Sequence, residues 1–309
     1  NNIVNIIVID GLSMYIGGSF SSVNGGTTRA RAAKFSTSSS TVNASWNPNL
    51  ASSCSSLVVT GDNVYIGGSF TTINGSSSTL NISRVDTTSG TVDGNWKPNA
   101  SSIVKAICVS GSDVILGGSF YTTNTKKRNM LARFNNSTGL LDTIWNPNIN
   151  NRVRTIVLDG NDIYIGGDFT TVNGSVTRNR AAKINNTDGT VDSDWNPDFN
   201  SSPAVMIKAG NDIFIGGYFT TANGGTTRNG LAKVNSTDGS LDESWDPNMS
   251  QAVIALATDG TNIYAGGNFT TVNGSTTRNY LAKFTISNST ADVSWNPNAN
   301  NAVSTLALD

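Results

Sequence analysis

Histidine is absent from this 309-residue chain. That excludes His-based catalytic triads, most zinc sites and any histidine pH switch. Charge is scarce as well: 20 basic and 21 acidic residues make up 13% of the sequence, with no basic block or stripe. Nucleic-acid binding needs a cationic footprint that displaces counterions, so no nucleic-acid partner is expected. Only two cysteines occur, Cys54 and Cys108, at irregular places. A disulfide framework would be regular, and the pair is read instead as two small buried apolar side chains. No apolar run nears the roughly 18 residues that span a bilayer, and no membrane insertion is expected. The chain opens on NNIVNIIVID without an initiator Met or a visible leader; it is read as a processed protein or a piece of a longer one.

What the sequence has in abundance is repetition. Its six tryptophans, Trp46, Trp96, Trp145, Trp195, Trp245 and Trp295, lie 50, 49, 50, 50 and 50 residues apart. A proline follows each two positions later, which leaves only Pro203 outside the pattern. A fixed period of this size marks a supersecondary unit that is copied. With no shift of composition between copies, one domain over 1–309 is expected, in repeats of about 1–50, 51–100, 101–149, 150–199, 200–249 and 250–300, with 301–309 left over.

Each repeat reads as four strands. The first is short and β-branched (Ile3 to Ile9, Leu57 to Val59, Ile103 to Val109, Val153 to Leu158, Val205 to Ile207, Val253 to Ala257) and ends in a Gly-containing hairpin turn. The second carries Tyr-Ile-Gly-Gly-x-Phe, with Tyr164, Gly166 and Asp168 on one face and Ile165, Gly167 and Phe169 on the other. Glycine weakens an isolated strand, so a repeated Gly pair implies close approach of a neighbouring sheet or an aromatic ring. A longer loop with Asn-Gly and Thr-Arg-Asn leads to the third strand (Arg180 to Ile184; Gly230 to Val234). An Asp-Gly turn then leads to a fourth, which carries Val191, Asp192 and Trp195 and is ended by the proline. Short strands, regular turns and this period predict an all-β fold: a β-propeller of six four-stranded blades plus one extra terminal strand. Tight hairpins join strands one to two and three to four. The Thr-Arg-Asn loop and the Trp-Asn-Pro-Asn corner are therefore predicted on one common side. The surplus strand is AVSTLAL, 302–308. It implies either a longer array or a displaced strand that pairs elsewhere, for example by β-addition to another molecule.

The unit is carried in the sixth repeat by Gly266-Gly267-Asn268-Phe269, Asn273-Gly274, Arg278-Asn279, Leu281-Ala282-Lys283-Phe284, Asp292 and Trp295-Asn296-Pro297-Asn298. It resembles the delta-sixty repeat, a bacterial β-propeller family of unassigned function. Trp stands here where that family more often has Phe. Thr79 replaces the loop Arg of the second repeat, and the third has lost a residue at Asn124-Thr125-Lys126. The resemblance implies a large, secreted or surface-attached protein and brings no catalytic residues with it.

Two sets of residues are candidates for ligand binding. Arg29, Arg128, Arg178, Arg228 and Arg278 could ring one face and take anionic or acidic-sugar ligands. The alternative is a fork onto the carboxylates of Asp93, Asp142, Asp192, Asp242 and Asp292 or onto loop carbonyls, which leaves Asp93 unpaired beside Thr79. Trp46, Trp145, Trp195, Trp245 and Trp295 could be platforms for sugar rings; the alternative is burial against the next blade. Asp188 with Asp192, or Asp238 with Asp242, offers too few oxygens for a calcium loop, and no metal or cofactor is expected. Fourteen Asn-x-Ser/Thr sequons, Asn43 and Asn288 among them, only slightly favour glycosylation. Glu243 is the sole glutamate and the aspartates are spread evenly, so no unusual cluster suggests catalysis. The expectation is a non-enzymatic extracellular or cell-surface protein acting in surface adhesion or assembly, filament formation included, with other subunits as partners and homo-oligomers formed through the terminal strand. The alternative is a multivalent lectin that binds surface glycans through its Trp/Asn/Arg loop face.

Overall fold

The computed structural model describes residues 2–76 and 79–309. The chain divides into two compact units, Asn1–Asn148 together with Asp309, and Ile149–Leu308, with three repeats in each. Among the described residues every regular element is a β-strand.

The fourth repeat shows the pattern. Its first strand is Val153–Asp159, its second Asp162–Gly167 and its third Ala181–Asn185, hydrogen-bonded in that order into an antiparallel sheet. The first strands of the second and fifth repeats, Cys54–Thr60 and Pro203–Ala209, run longer than the sequence suggests. Their opening residues, Cys54 and Pro203, do not read as β-branched, yet both are buried there. Pro203 is tolerated as the first residue of its strand, where no ladder donor is needed.

The expected fourth strand is reduced to a single bridge: Phe35 to Val42, Val85 to Val92, Phe134 to Leu141, Ile184 to Val191 and Val234 to Leu241. The residue after each bridge explains why. Asp192 Oδ1 accepts the amides of Asp194 and Trp195 at 2.9 and 3.0 Å, which turns the chain out of the extended state. Five of the repeats also carry something the sequence reading missed. The long loop contains a two-residue ribbon, for example Thr171–Val172 against Val176–Thr177. Its tip holds Asn173 and Gly174 at φ of 51° and 81°, the left-handed region that Asn and Gly tolerate best. The third strand begins one residue late because Arg180, with φ 71°, lies outside the extended region; its amide donates to Phe169 O and its carbonyl accepts from Gly167 N.

Both faces of the second strand are buried. The core lies between successive sheets: Tyr164 and Trp195 of the fourth repeat pack with Met206, Ile213 and Phe219 of the fifth. The glycine pair makes this possible in two separate ways. A Cβ on Gly166 would stand 2.8 Å from Pro203 Cβ of the next repeat and 2.9 Å from Met206 Sδ. A Cβ on Gly167 would run into the backbone oxygen of Arg152 in its own sheet, where the first strand carries a bulge. Of the two reasons predicted for the pair, approach of a neighbouring sheet is therefore the one found for Gly166. Cys54 fills the same seat over Gly17, and burial pushes its thiol up to about 12. Both cysteines are free, and Cys108 is only partly buried.

The segment 302–308 forms no strand, although its sequence matches the first strand of a repeat. It nonetheless occupies a first-strand seat: Val303 Cγ1 stands 2.8 Å from where a Cβ of Gly266 would be.

Candidate functional site

The Thr-Arg-Asn loop and the Asn-Pro-Asn corner meet on one side, as the connection lengths require. The Asn129, Asn179, Asn229 and Asn279 side-chain amides donate to Asn148, Asp198, Asn248 and Asn298 at 2.7 to 2.8 Å. The corner is held in turn by the ribbon of the following repeat. Asn200 Oδ1 accepts the amides of Thr220 and Thr221, and Ser250 Oγ accepts those of Thr270 and Thr271. Asn223 N and Asn273 N donate to the carbonyls of Pro197 and Pro247, both at 2.7 Å.

These bonds leave a polar cleft between neighbouring repeats. One, of about 350 Å³, is lined by Asn179, Arg180, Asp198, Asn200 and Thr221. Its counterpart in the next pair of repeats, about 290 Å³, is lined by Asn229, Asn248, Ser250, Thr271 and Tyr218. Tyr218 stands at the second cleft with half of its surface exposed. Amides, hydroxyls and one aromatic ring can hydrogen-bond and stack on a polyhydroxylated molecule.

The candidate ligand residues are placed otherwise. Arg29, Arg128, Arg178, Arg228 and Arg278 are each more than nine-tenths buried. Their guanidinium groups donate to backbone: Arg178 bonds the carbonyls of Thr177, Asp192 and Ser193, and Arg128, Arg228 and Arg278 repeat the first two of these contacts. Arg29 does the same with Thr28, Asn43 and Ala44. Of the alternatives, the fork onto loop carbonyls is the one found, with a 3.5 Å contact from Arg228 to Asp246 in addition. These five guanidinium groups therefore form no ring of free surface cations; they hold the loop against the corner.

Nor do four of the tryptophans offer an open face. Trp46, Trp145, Trp195 and Trp245 are at most 1% exposed, like Trp96. Each of Trp46, Trp195 and Trp245 sends its indole N–H to a carbonyl of the next repeat: Asp86 O, Asn235 O and Thr285 O, at 3.0, 3.0 and 3.1 Å. The aromatic residue of the second strand meets the indole edge to face, Tyr164 on Trp195 at 5.2 Å and Phe214 on Trp245 at 5.0 Å. Trp295, in the last repeat, is only half-buried.

The fourth-segment aspartates pair with a basic residue of the third strand that the sequence reading passed over: Arg84 with Asp93, and Arg133, Lys183, Lys233 and Lys283 with Asp142, Asp192, Asp242 and Asp292 at 2.6 to 3.1 Å. Asp93 is therefore not unpaired beside Thr79. The signal was available, since a basic residue stands nine positions before every one of these aspartates. Burial alone would raise the Asp192 carboxyl, but the Trp195 and Asp194 amides and Lys183 outweigh it and hold the group below the usual carboxylate range. Asp142 is lowered in the same way by Trp145, Arg133 and Ile144. The Asp-Gly turns are closed locally: Asp188 and Asp238 each accept an amide and a hydroxyl from the residue two positions on.

Residues 161–194 and 211–244, which run from the second strand almost to the tryptophan in the fourth and fifth repeats, match a family described as a β-propeller domain of unknown function, DUF5122. No curated protein matches the chain. The crystal structure of the computationally designed Ika8 protein is similar over 99% of this chain and 90% of its own, with a TM-score of 0.60 and 11% identity. The WD40 domain of Neurospora crassa Pan2 is similar over 77% of this chain and 64% of its own, with a TM-score of 0.52 and 11% identity. At such identity the likeness concerns the fold alone. The chain is thus an all-β repeat protein whose units are of β-propeller type, and two of them are similar to a propeller family without an assigned function.

Proposed function

We propose that this chain is a non-enzymatic extracellular scaffold, one propeller blade per repeat and six in all, that acts at a cell surface in adhesion or assembly. One observation carries the reading. The residues that join a repeat to its successor recur in the last repeat, where Trp295 and Ala299 are half-exposed and Pro297 is exposed, although their five counterparts are all buried. Apolar surface that is covered in five repeats and partly exposed in the sixth supports association with another protein surface. Low charge and the resemblance to surface-attached repeat proteins support an extracellular setting. Light scattering on the purified chain tests assembly: particles larger than the 32.3 kDa chain are expected, and a monomer at every concentration would count against it.

A second reading is a multivalent lectin, and the recurrent polar clefts favour it over the buried tryptophans. A glycan array should then give a signal that Tyr218→Ala removes and Trp195→Phe leaves in place. A blank array would dispose of this reading.

A further inference from the structure

We propose that the fourth repeat carries a binding site for an acidic sugar, with Arg154 taking the oxyanion and Tyr218 of the fifth repeat flanking the ring. The inference rests on the lectin reading above and gives its clefts a class of ligand. All the residues it uses lie in the second compact unit.

The site lies where the repeat departs from its own pattern. After the glycine pair the other five repeats carry an uncharged residue, Ser19, Ser69, Ser119, Tyr218 or Asn268, whereas the fourth carries Asp168. The residue before the first strand is Arg152, where the others have Ile3, Ser53, Ile103, Ser202 and Ala252. These departures meet. Arg154 forks onto Asp168, with Nε donating to Oδ1 at 2.8 Å and Nη2 to Oδ2 at 3.1 Å. Arg152 Nε stands 3.8 Å from the same Oδ2. Arg180 donates through Nη1 to the main-chain oxygen of Asp168, and the Ser202 hydroxyl donates to Oδ1.

Three guanidinium groups thus surround one carboxylate, and the cluster carries net positive charge. Burial raises the Asp168 carboxyl, but the bonds from Arg154 and Ser202 outweigh it, so the group stays ionised at neutral pH. The charge is within reach of solvent, since the Arg152 and Arg154 side chains are 39% and 29% exposed. Arg154 gives Nε and Nη2 to Asp168. Its Nη1 makes no hydrogen bond among the described residues and can donate to an incoming oxyanion.

The surroundings give the rest of the ligand. Arg180 lines the first polar cleft beside Asn179, Asn200 and Thr221, and Tyr218 lines the second beside Asn229 and Ser250. The cluster therefore joins two clefts walled by amides and hydroxyls, which are partners for sugar hydroxyls. The Arg154 guanidinium lies 6.0 Å from the centre of the half-exposed Tyr218 ring, so charge and aromatic face are held together. Asp198 lines the first cleft too, with Oδ1 on the Asn179 amide at 2.7 Å. The oxyanion is accordingly assigned to Arg154 and the uncharged part of the sugar to the clefts. Nucleic acid fits less well, because its phosphates recur along the whole strand and a single cluster of cations does not follow them.

Calorimetric titration of the whole chain with oligogalacturonate, dextran sulfate, neutral dextran and poly-glutamate tests the site. An acidic saccharide should bind more tightly than neutral dextran or poly-glutamate, and comparison of the first two polymers tells carboxylate from sulfate. Arg154→Gln should weaken that binding about tenfold or more, as loss of a hydrogen bond to a charged group does. Its melting temperature should stay close to that of the wild type, because a partly exposed ion pair adds little stability. Asp168→Asn keeps an oxygen for Ser202 and removes the competing charge. It should tighten binding several-fold, which a merely structural ion pair would not do. Equal affinity for poly-glutamate, or unchanged affinity in Arg154→Gln, overturns the site. Binding of neutral dextran alone overturns the acidic ligand and leaves the lectin reading standing, whereas four blank titrations and a blank glycan array overturn both.

Discussion

A glycine pair looks redundant on paper, since both residues lie in one strand and both lack a side chain. The two have different neighbours. Gly166 faces side chains of the next repeat, Pro203 and Met206, which can shift by tenths of an ångström. Gly167 faces a backbone oxygen that its own sheet fixes in place. Gly166→Ala should therefore cost about 1–3 kcal/mol, the usual penalty for overpacking, and Gly167→Ala should cost more. Urea denaturation of the two variants compares them directly, and a smaller loss for Gly167→Ala would contradict the assignment. The close approach of a neighbouring sheet was legible in the recurrence of the pair. The bulge that sets the second glycine was not, because a register shift between two strands leaves no mark in either one alone.

The short segment from the third strand to the tryptophan shows how local chemistry replaces an expected element. A fourth strand was predicted from Val191 and Asp192, and one bridge remains. The aspartate is the reason: one oxygen caps the turn toward Trp195 and the other pairs with Lys183 at 3.1 Å. With both oxygens engaged, Arg178 takes the main-chain oxygen of the same Asp192 at 2.6 Å. The sequence reading thus reached the right residue, while spacing alone could not separate its backbone oxygen from its carboxylate. The pairing has a consequence for acid stability. In the folded chain Asp142, Asp192 and Asp242 sit below the ordinary carboxylate range. A depressed native pKa adds stability that is fully present above the unfolded value of about 4 and is lost as pH falls through the native one. The wild-type denaturation midpoint should hold from pH 7 to about 5 and decline below about 4. Asp192→Asn keeps an oxygen for the turn amides and removes the titration. It should cost at most about 1 kcal/mol at neutral pH, as for a partly exposed pair, and flatten the decline in acid. A decline of equal depth in the variant would show that Asp192 does not contribute to it.

At the scale of the whole chain the period was the most legible feature, because six tryptophans at a near-constant spacing leave little choice of architecture. What the period hides is that equal residues are not equally placed. Stability in a repeat protein is approximately a sum of units and of the contacts between neighbours, so a side chain that serves the contact counts only where a neighbour exists. Trp195 is fully buried and donates to Asn235 O of the next repeat, whereas Trp295 is half-buried. Trp195→Ala should cost about 3–5 kcal/mol, as large-to-small changes of buried aromatic rings do. Trp295→Ala should cost less than half of that in dilute solution, where no second copy covers the ring. Raising the protein concentration should widen the loss at residue 295, since association stabilises the folded state by mass action, and should leave the loss at 195 unchanged. Melting curves of both variants at two concentrations read this out. Equal losses in dilute solution would mean that the last repeat is covered within the chain itself, and the case for an open end would fail.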